Sequence, residues 1–355
     1  MHYDIAIVGL GPAGSTLARL IDSTRYRVIA FDRRDTRTPE RCAKPCGGLL
    51  SPDALRVLAR FNLAIPEGVI ASPQLFSVKT IDLDSRLIRH YPRFYLNIDR
   101  QRFDFWLMSL IPRSVTIRQG SVVTSVRRAG DHYDITCRTQ GREETVSARY
   151  VVGADGARSV VARSLYGPRP ESLLLALQEW SPHDGQNPFF SCVFDRRNPG
   201  SYSWSLCKSG SFLLGGAFPP RGARRLLASQ RERLREYGLE PSAPIRREAC
   251  FVRRLRRPRD IRLGSEGALL IGEAAGFISP SSFEGISGAL ASAYLLSRAF
   301  NAGEARVLRQ YRRGALKLRI RYALKIIKAA VLCSPLLRFL IMKSGLRSVR
   351  IAERP

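Results

Sequence analysis

The sequence has 355 residues, enough to bury a sizeable core and too many for one small domain, so one large domain with insertions or two joined domains is expected. Hydrophobic residues make up 45% and charged residues 25%, as in ordinary globular chains, whereas the net charge of +28 asks for a polyanionic partner. Zinc-finger spacing, an RRM signature and interleaved aromatic and basic residues are all missing, which sets nucleic acid aside in favour of an anionic membrane surface.

The N-terminus enters a strand at once, without the basic and apolar regions of a signal peptide, and no stretch reaches the ~18 to 20 uncharged apolar residues of a membrane span. Seven scattered cysteines lack a disulfide-framework spacing and read as reduced thiols. The expected compartment is cytoplasmic, with peripheral attachment at the inner face of the cytoplasmic membrane.

In chain order, residues 5–8 predict a buried parallel strand, and Gly9, Gly11 and Gly14 follow as GxGxxG where a helix is predicted over 12–20. Gly9 allows the tight turn. Gly11, beside Pro12 and Ala13, lets the backbone approach a pyrophosphate, and Gly14 lets the helix pack against the strand. A second strand over 27–31 ends at Asp32, eighteen residues after Gly14, where a carboxylate is expected to bond a ribose hydroxyl.

An Arg-rich loop over 33–41 leads into Cys42, and Lys44-Pro45-Cys46-Gly47-Gly48 reads as a loop of close approach to something flat, or as a plain turn. Cys42 and Cys46 lie four apart, but none of the four histidines has a partner at ligand spacing, so no metal is expected. Ser51-Pro52-Asp53 opens a helix over 54–61. Strand-like patterns occupy 74–81 and 86–96, and Asp99 starts a helix running to 110. Short strands are predicted at 115–119, 121–127 and 133–138, with a buried one at 149–152 that ends in Gly153-Ala154-Asp155-Gly156. Strands at 173–180, 189–195, 201–207 and 211–217 suggest an antiparallel sheet. A polar helix over 223–237, a last buried strand at 267–271 and a small-residue helix over 287–300 complete the main body.

Four separated motifs agree: GxGxxG, Arg100-x-x-Phe-Asp104, Gly153-Ala-Asp-Gly156 and Gly272-Glu-Ala-Ala-Gly276. Together they resemble the glutathione-reductase-type FAD proteins of the aromatic-hydroxylase class, over nearly the whole chain. Lys44-Pro-Cys-Gly-Gly48, and Tyr202-Ser-Trp204 followed by Lys208-Ser-Gly210, are similar to the geranylgeranyl reductase family. The run from Gly272 through Gly285 and Ile286 resembles its enterobacterial CbrA-like branch.

The resemblance implies an α/β fold with a Rossmann FAD-binding domain, an inserted antiparallel-sheet substrate domain and a C-terminal helical tail. Expected boundaries are 1–73, 98–165 and 262–304 for the first, 74–97 and 166–261 for the second, and 305–355 for the tail. It implies that Gly9, Gly11, Pro12, Ala13, Gly14 and Asp32 hold the ADP half of FAD, with Arg100 near its phosphates or ribityl chain. Asp155 and Gly156 would support the cofactor. Glu273, where the family usually has the shorter Asp, would reach the ribityl hydroxyls, and the backbone of Gly272, Ala274 and Gly276 would approach the pyrophosphate, with Gly285 and Ile286 completing that cofactor-binding run. Lys44, Cys46, Gly47 and Gly48 would lie near the flavin ring, and Tyr202 and Trp204 would line the substrate cavity.

Family members reduce isolated carbon–carbon double bonds in prenyl chains with hydride from reduced flavin, which implies an isoprenoid or polyprenyl lipid substrate here. Cys46 and Tyr202 are the candidate proton donors. Only one dinucleotide fingerprint is present, so the electron donor stays open between ferredoxin, flavodoxin and NAD(P)H. The alternative is a group A flavin monooxygenase or halogenase acting on an aromatic small molecule. The Lys-Pro-Cys-Gly-Gly loop argues against it, and a tryptophan-halogenase Trp-x-Trp-x-Ile-Pro pattern is missing.

From residue 305 onward there are fourteen Lys or Arg and the single acid Glu353. A helical projection over 316–331 puts Lys317, Arg321, Lys325 and Lys328 on one side and Leu316, Ile320, Leu324, Ile327 and Val331 on the other. Such a basic amphipathic helix, followed by apolar residues 336–342, suits a membrane interface over 312–343, or a cap whose apolar face covers the protein's own core.

Overall fold

The computed structural model describes residues 2–41, 44–168, 173–183, 189–239, 241–303 and 306–352. It opens with strand β1 (His2–Val8), helix α1 (Pro12–Leu20) and strand β2 (Val28–Phe31). β1 and β2 pair in parallel and are almost wholly buried, as an apolar run without alternation requires. After β3 (Leu49–Leu50) comes α2 (Pro52–Arg60), where the Ser51 hydroxyl accepts the Ala54 N–H and Pro52 takes the first helical position.

The hairpin β4 (Leu75–Asp82) and β5 (Leu87–Asn97) leaves for a second sheet. The chain then returns through α3 (Arg100–Ser109), started by Asp99, whose carboxylate accepts the Gln101 and Arg102 N–H groups. β6 (Thr116–Arg118), β7 (Ser121–Ala129), β8 (His132–Thr139) and β9 (Arg142–Gly153) follow, then α4 (Val160–Tyr166). The short buried strand expected at 149–152 is the end of a twelve-residue strand. Its first half alternates and pairs antiparallel with β8, and its buried second half pairs in parallel with β1.

β10 (Leu173–Pro182), β11 (Phe189–Phe194), β12 (Ser203–Lys208) and β13 (Ser211–Phe218) build the second sheet, backed by α5 (Ala223–Leu234) and edged by β14 (Arg246–Arg253). The sequence reading missed β14. It is an edge strand whose residues are all exposed or half-buried, so it shows no clean alternation. The order is β14-β10-β13-β12-β11-β4-β5-β3. The four strands β10 to β13 pair antiparallel with one another, as expected; among the described residues the parallel pairing in this sheet joins β11 to β4. Val193, Cys207 and Leu214 point to one face and pack under Leu227 and Leu234 of α5. Tyr202, Trp204, Leu206 and Lys208 share the other.

β15 (Gly264–Ser265) and β16 (Ala268–Leu270) return to the first sheet, ordered β15-β16-β9-β1-β2-β6 with β7 and β8 attached through β9. The long helix α6 (Ile286–Asn301) packs on α1. Three helices end the described chain: α7 (Val307–Gly314), α8 (Leu316–Cys333) and α9 (Pro335–Ser344). Tyr311 donates to the Leu270 carbonyl at 3.0 Å, and the Tyr322 ring meets Phe277 edge-on at 5.4 Å, so α7 and α8 are anchored on the first sheet's layer. Arg338 of α9 is buried against Asp82 of β4, which ties the tail to the second sheet as well.

The face of α8 that packs inward is Leu318 and Tyr322, not the stripe of Leu316, Ile320, Leu324 and Ile327, each of which is exposed. The expectation that this stripe could cover the core is therefore corrected. Of the four cations placed opposite it, Lys325 lies 3.5 Å from Asp53 of the main body, Lys328 is partly desolvated near Arg93 and Cys192, and Lys317 and Arg321 are exposed. No helix among the described residues is long and apolar enough to cross a membrane.

Candidate active site

The loop after β1 has the geometry a dinucleotide needs. Gly9 adopts φ +95°, and a Cβ there would lie 2.8 Å from the Ala154 carbonyl oxygen. A Cβ on Gly14 would run into the Gly9 carbonyl oxygen. Gly11 differs: among the described residues a Cβ there meets nothing within 4 Å, because it faces the open cradle at the N-terminus of α1, which none of their side chains caps. Free N–H groups and open space at this point fit a pyrophosphate.

The second glycine-rich turn closes on the first. Gly272 has φ +57°, and a Cβ on it would lie 2.9 Å from the Ala13 Cβ, so the 272–276 turn sits directly on α1. Its N–H donates to Ser292 of α6 at 2.9 Å, and Gly276 ends the turn in the left-handed region at φ +96°. Gly285 and Ile286 begin α6, where Glu284 accepts the Ser287 N–H at 2.7 Å. Ala274 is buried within the turn.

Several predicted ligands already have protein partners. Asp32 accepts the Leu10 N–H at 2.7 Å, the Arg34 N–H at 2.8 Å, and two guanidinium bonds from Arg34 at 3.1 Å each. Each carboxylate oxygen thus has two donors, and a ribose hydroxyl has to share with or displace Arg34. Arg34 also reaches Asp104 at 2.6 Å. Asp155 turns its Oδ2 to the Val160 N–H at 2.6 Å and so starts α4, while its Oδ1 is buried without a partner among the described residues. Burial pushes the Asp155 carboxyl up, against the bonds from Ser159 and Val160. Glu273 accepts the Arg253 N–H at 2.9 Å, and its other oxygen lies near Gly156, itself at φ +78°.

A second group of predicted residues meets around Cys46. Arg100 is buried, bonds Asp104 at 2.9 Å and contacts the Cys46 sulfur, so it joins the 44–48 loop to α3. Asp104 serves both Arg100 and Arg34, and although burial opposes it, these cations hold its carboxyl below the usual range. Burial also pushes the Cys46 thiol up, but Arg100, the Gly48 N–H and Lys44 outweigh it and leave the thiol below its ordinary value. Cys42 lies outside the described residues.

Lys208 fixes this loop to the second sheet. The residue is 8% exposed, and its ammonium donates to the Gly47 carbonyl at 2.6 Å, the Ile98 carbonyl at 2.6 Å and the Gly48 carbonyl at 3.3 Å. Three protons find three oxygens, although burial lowers the group to about 8. Gly48 is at φ +64°, and any side chain there would strike Lys208 and the Ile98 carbonyl. Neither Arg34 nor Lys208 was assigned a role from sequence. A signal existed for Lys208, since it continues the period-two face of Tyr202, Trp204 and Leu206.

That face is aromatic and aliphatic. Tyr202 stacks on Phe283 at 5.9 Å, meets Trp204 edge-on at 5.8 Å and donates its hydroxyl to the Ser282 carbonyl at 2.8 Å. Burial raises the Tyr202 phenol well above its ordinary value. Trp204 crosses the sheet opposite Gly215, where a Cβ would lie 2.8 Å from its Nε1, and that N–H is buried without a partner among the described residues. Leu75, Phe190, Phe194 and Leu213 extend the wall.

Comparison with known proteins agrees with this geometry. Residues 2–173 match the FAD binding domain family FAD_binding_3. Protein CbrA of Escherichia coli O157:H7 is 42% identical over 348 residues, covering 98% of each chain. The chain belongs to the CbrA family. Its cofactor is FAD, and it is a FAD-dependent oxidoreductase. The fold is shared more widely than this family. A geranylgeranyl bacteriochlorophyll reductase-like protein from Thermoplasma acidophilum matches with a TM-score of 0.79 at 18% identity, over 96% of this chain and 89% of the other. PqsL of Pseudomonas aeruginosa, a probable FAD-dependent monooxygenase, matches with a TM-score of 0.70 at 18% identity, over 98% and 100%. This chain thus has a glutathione-reductase-type scaffold on which both kinds of neighbour are built.

Proposed function

We propose that this chain reduces carbon–carbon double bonds in a polyprenyl or isoprenoid lipid. The observation that carries the reading is the buried apolar cluster of Tyr202, Leu206 and Phe194, with Trp204 packed against it, beside the Lys208-fastened Cys46 loop. An isolated double bond offers no charge to recognise, so its site must be apolar, with a proton source at one point. FAD, once bound and reduced by an external electron donor, would supply the hydride. The chain's part is to exclude water, orient the prenyl chain against the wall and deliver a proton to the second carbon.

Of the two candidate donors, Tyr202 is the one that burial keeps protonated, which also weakens it as an acid. Its hydroxyl donates to the Ser282 carbonyl and has to leave that bond to reach substrate. Cys46 has its thiol lowered below the ordinary value by Arg100, the Gly48 N–H and Lys44 against the effect of burial, which makes it the more acidic of the two. The similarity in fold to the geranylgeranyl reductase-like protein supports the same substrate class. A ferredoxin, a flavodoxin or NAD(P)H would return electrons to the cofactor.

The PqsL-like fold supports a second reading, oxygen-dependent hydroxylation or halogenation of an aromatic molecule. Mass spectrometry of lipid extracts from cells with and without the protein separates the two. A mass gain in steps of two hydrogens in a prenyl lipid is expected. A hydroxylated or halogenated aromatic product, with lipids unchanged, would overturn the reductase reading. Tyr202→Phe should slow reduction while retaining FAD, and turnover at the wild-type rate would remove the phenol from proton delivery.

A further inference from the structure

We propose that the outer face of α8 and α9 docks on an anionic lipid bilayer. An amphipathic helix on a globular protein ordinarily turns its apolar stripe to the core. Here α8 does the reverse. Leu316, Ile320, Leu324 and Ile327 recur at helical spacing and are 54%, 53%, 61% and 61% exposed, while Leu318 and Tyr322 on the opposite side are buried. Helix α9 repeats the arrangement, with Arg338 and Met342 inward and Leu336 and Leu340 outward at 66% and 52%. Among the described residues, eleven of the sixteen large hydrophobic side chains left exposed fall between 316 and 351. Scattered exposure needs no explanation, but two consecutive helices that both face their aliphatic side outward do.

Charge identifies the occupant. Residues 306–352 hold thirteen Lys or Arg and no Asp or Glu. A second copy of this chain would bring the same excess of cations to the contact, so self-association through this face is opposed by repulsion. Nucleic acid would satisfy the cations and leave the aliphatic stripe in water. Anionic headgroups over an acyl interior meet both requirements at once, with Lys317 and Arg321 at headgroup depth beside the stripe.

The inner side of the same layer touches the proposed substrate wall. Leu332 of α8 packs on the Tyr202 and Trp204 cluster, and the Arg338 guanidinium lies 4.9 Å over the Phe194 ring. A bilayer-dissolved substrate would therefore have one helical layer to pass. That extension rests on the lipid-reductase reading, whereas docking stands on the tail alone.

The test uses the FAD-loaded full chain with large unilamellar vesicles, sedimented at low and high salt. Binding to mixed phosphatidylglycerol and phosphatidylcholine vesicles is expected, about tenfold weaker on phosphatidylcholine alone or in high salt. The triple variant Ile320→Gln, Leu324→Gln, Ile327→Gln should lose about tenfold or more in partitioning, with flavin absorbance and melting temperature unchanged. Lys317→Gln with Arg321→Gln should remove much of the salt-sensitive part. A wild type that stays in the supernatant at low salt overturns the proposal. So does light scattering that finds a wild-type dimer and a triple-variant monomer, since the stripe would then serve self-association. Vesicle binding is read without turnover, so failure of the proposed chemistry does not alter it.

Discussion

Replacing Arg338 by Met tests whether the tail is clamped to the body by a buried ion pair. Arg338 donates to both oxygens of Asp82, at 2.9 and 3.3 Å, and to the Leu332 carbonyl at 2.9 Å. The two side chains are 4% and 2% exposed. Methionine keeps the length and apolar stem but leaves the Asp82 carboxylate buried with a backbone amide, the Asp84 N–H at 3.1 Å, as its remaining donor among the described residues. Removing one partner of a buried pair typically destabilises by about 3–5 kcal/mol, and the surviving amide bond argues for the lower end, about 3 kcal/mol. Urea unfolding of the FAD-loaded protein, followed by tryptophan fluorescence, measures this, with limited proteolysis reporting release of α9. Asp82→Leu added to Arg338→Met should recover much of the loss, because no charge is then stranded. A single variant that loses less than about 1 kcal/mol, or a double variant no better than the single, would refute the clamp.

Gly11→Val should abolish FAD binding with little change in apoprotein melting, since its Cβ points into open space, whereas Gly14→Ala should destabilise the fold itself. Flavin absorbance and melting of the two purified variants check the contrast. Burial holds Lys208 at about 8 against 10.5 for an ordinary lysine, so between those values the unfolded chain keeps a proton that the folded one releases, and this group makes stability rise with pH there. Lys208→Met should flatten that rise in urea titrations compared with wild type; an unchanged slope would contradict it. Alkylation of Cys46, followed by mass spectrometry of its peptide, should show a pH midpoint below that of an ordinary thiol, moving upward in Arg100→Met. A midpoint that ignores Arg100 would dismiss that cation as the cause.

Much of the cofactor cradle was legible because its signals are local. Gly9, Gly272 and Gly276 answer a local need for left-handed backbone, Gly14 has the Gly9 carbonyl oxygen against it, and the buried strands beside them read as unbroken apolar runs. Arg34 was not legible as a ligand of Asp32, because its second anchor, Asp104, is seventy residues away on α3. Strand β14 escaped because an exposed edge strand carries no alternation to read.

By itself the sequence determined the glycine turn, the main strands and the existence of an amphipathic tail, since these follow from short-range sterics and hydrophobic periodicity, while the FAD scaffold was legible through the resemblance of four separated motifs to a known family. Tertiary structure alone decided which face of that tail meets the body. Periodicity fixes a stripe on a helix but not the direction it turns, and here the docking of Tyr322 against Phe277 and of Arg338 against Asp82 outweighed the pull of the stripe toward the core. The same holds for Lys208, whose three carbonyl partners come from segments 110 to 161 residues away and acquire a common direction only when the two sheets close on one loop.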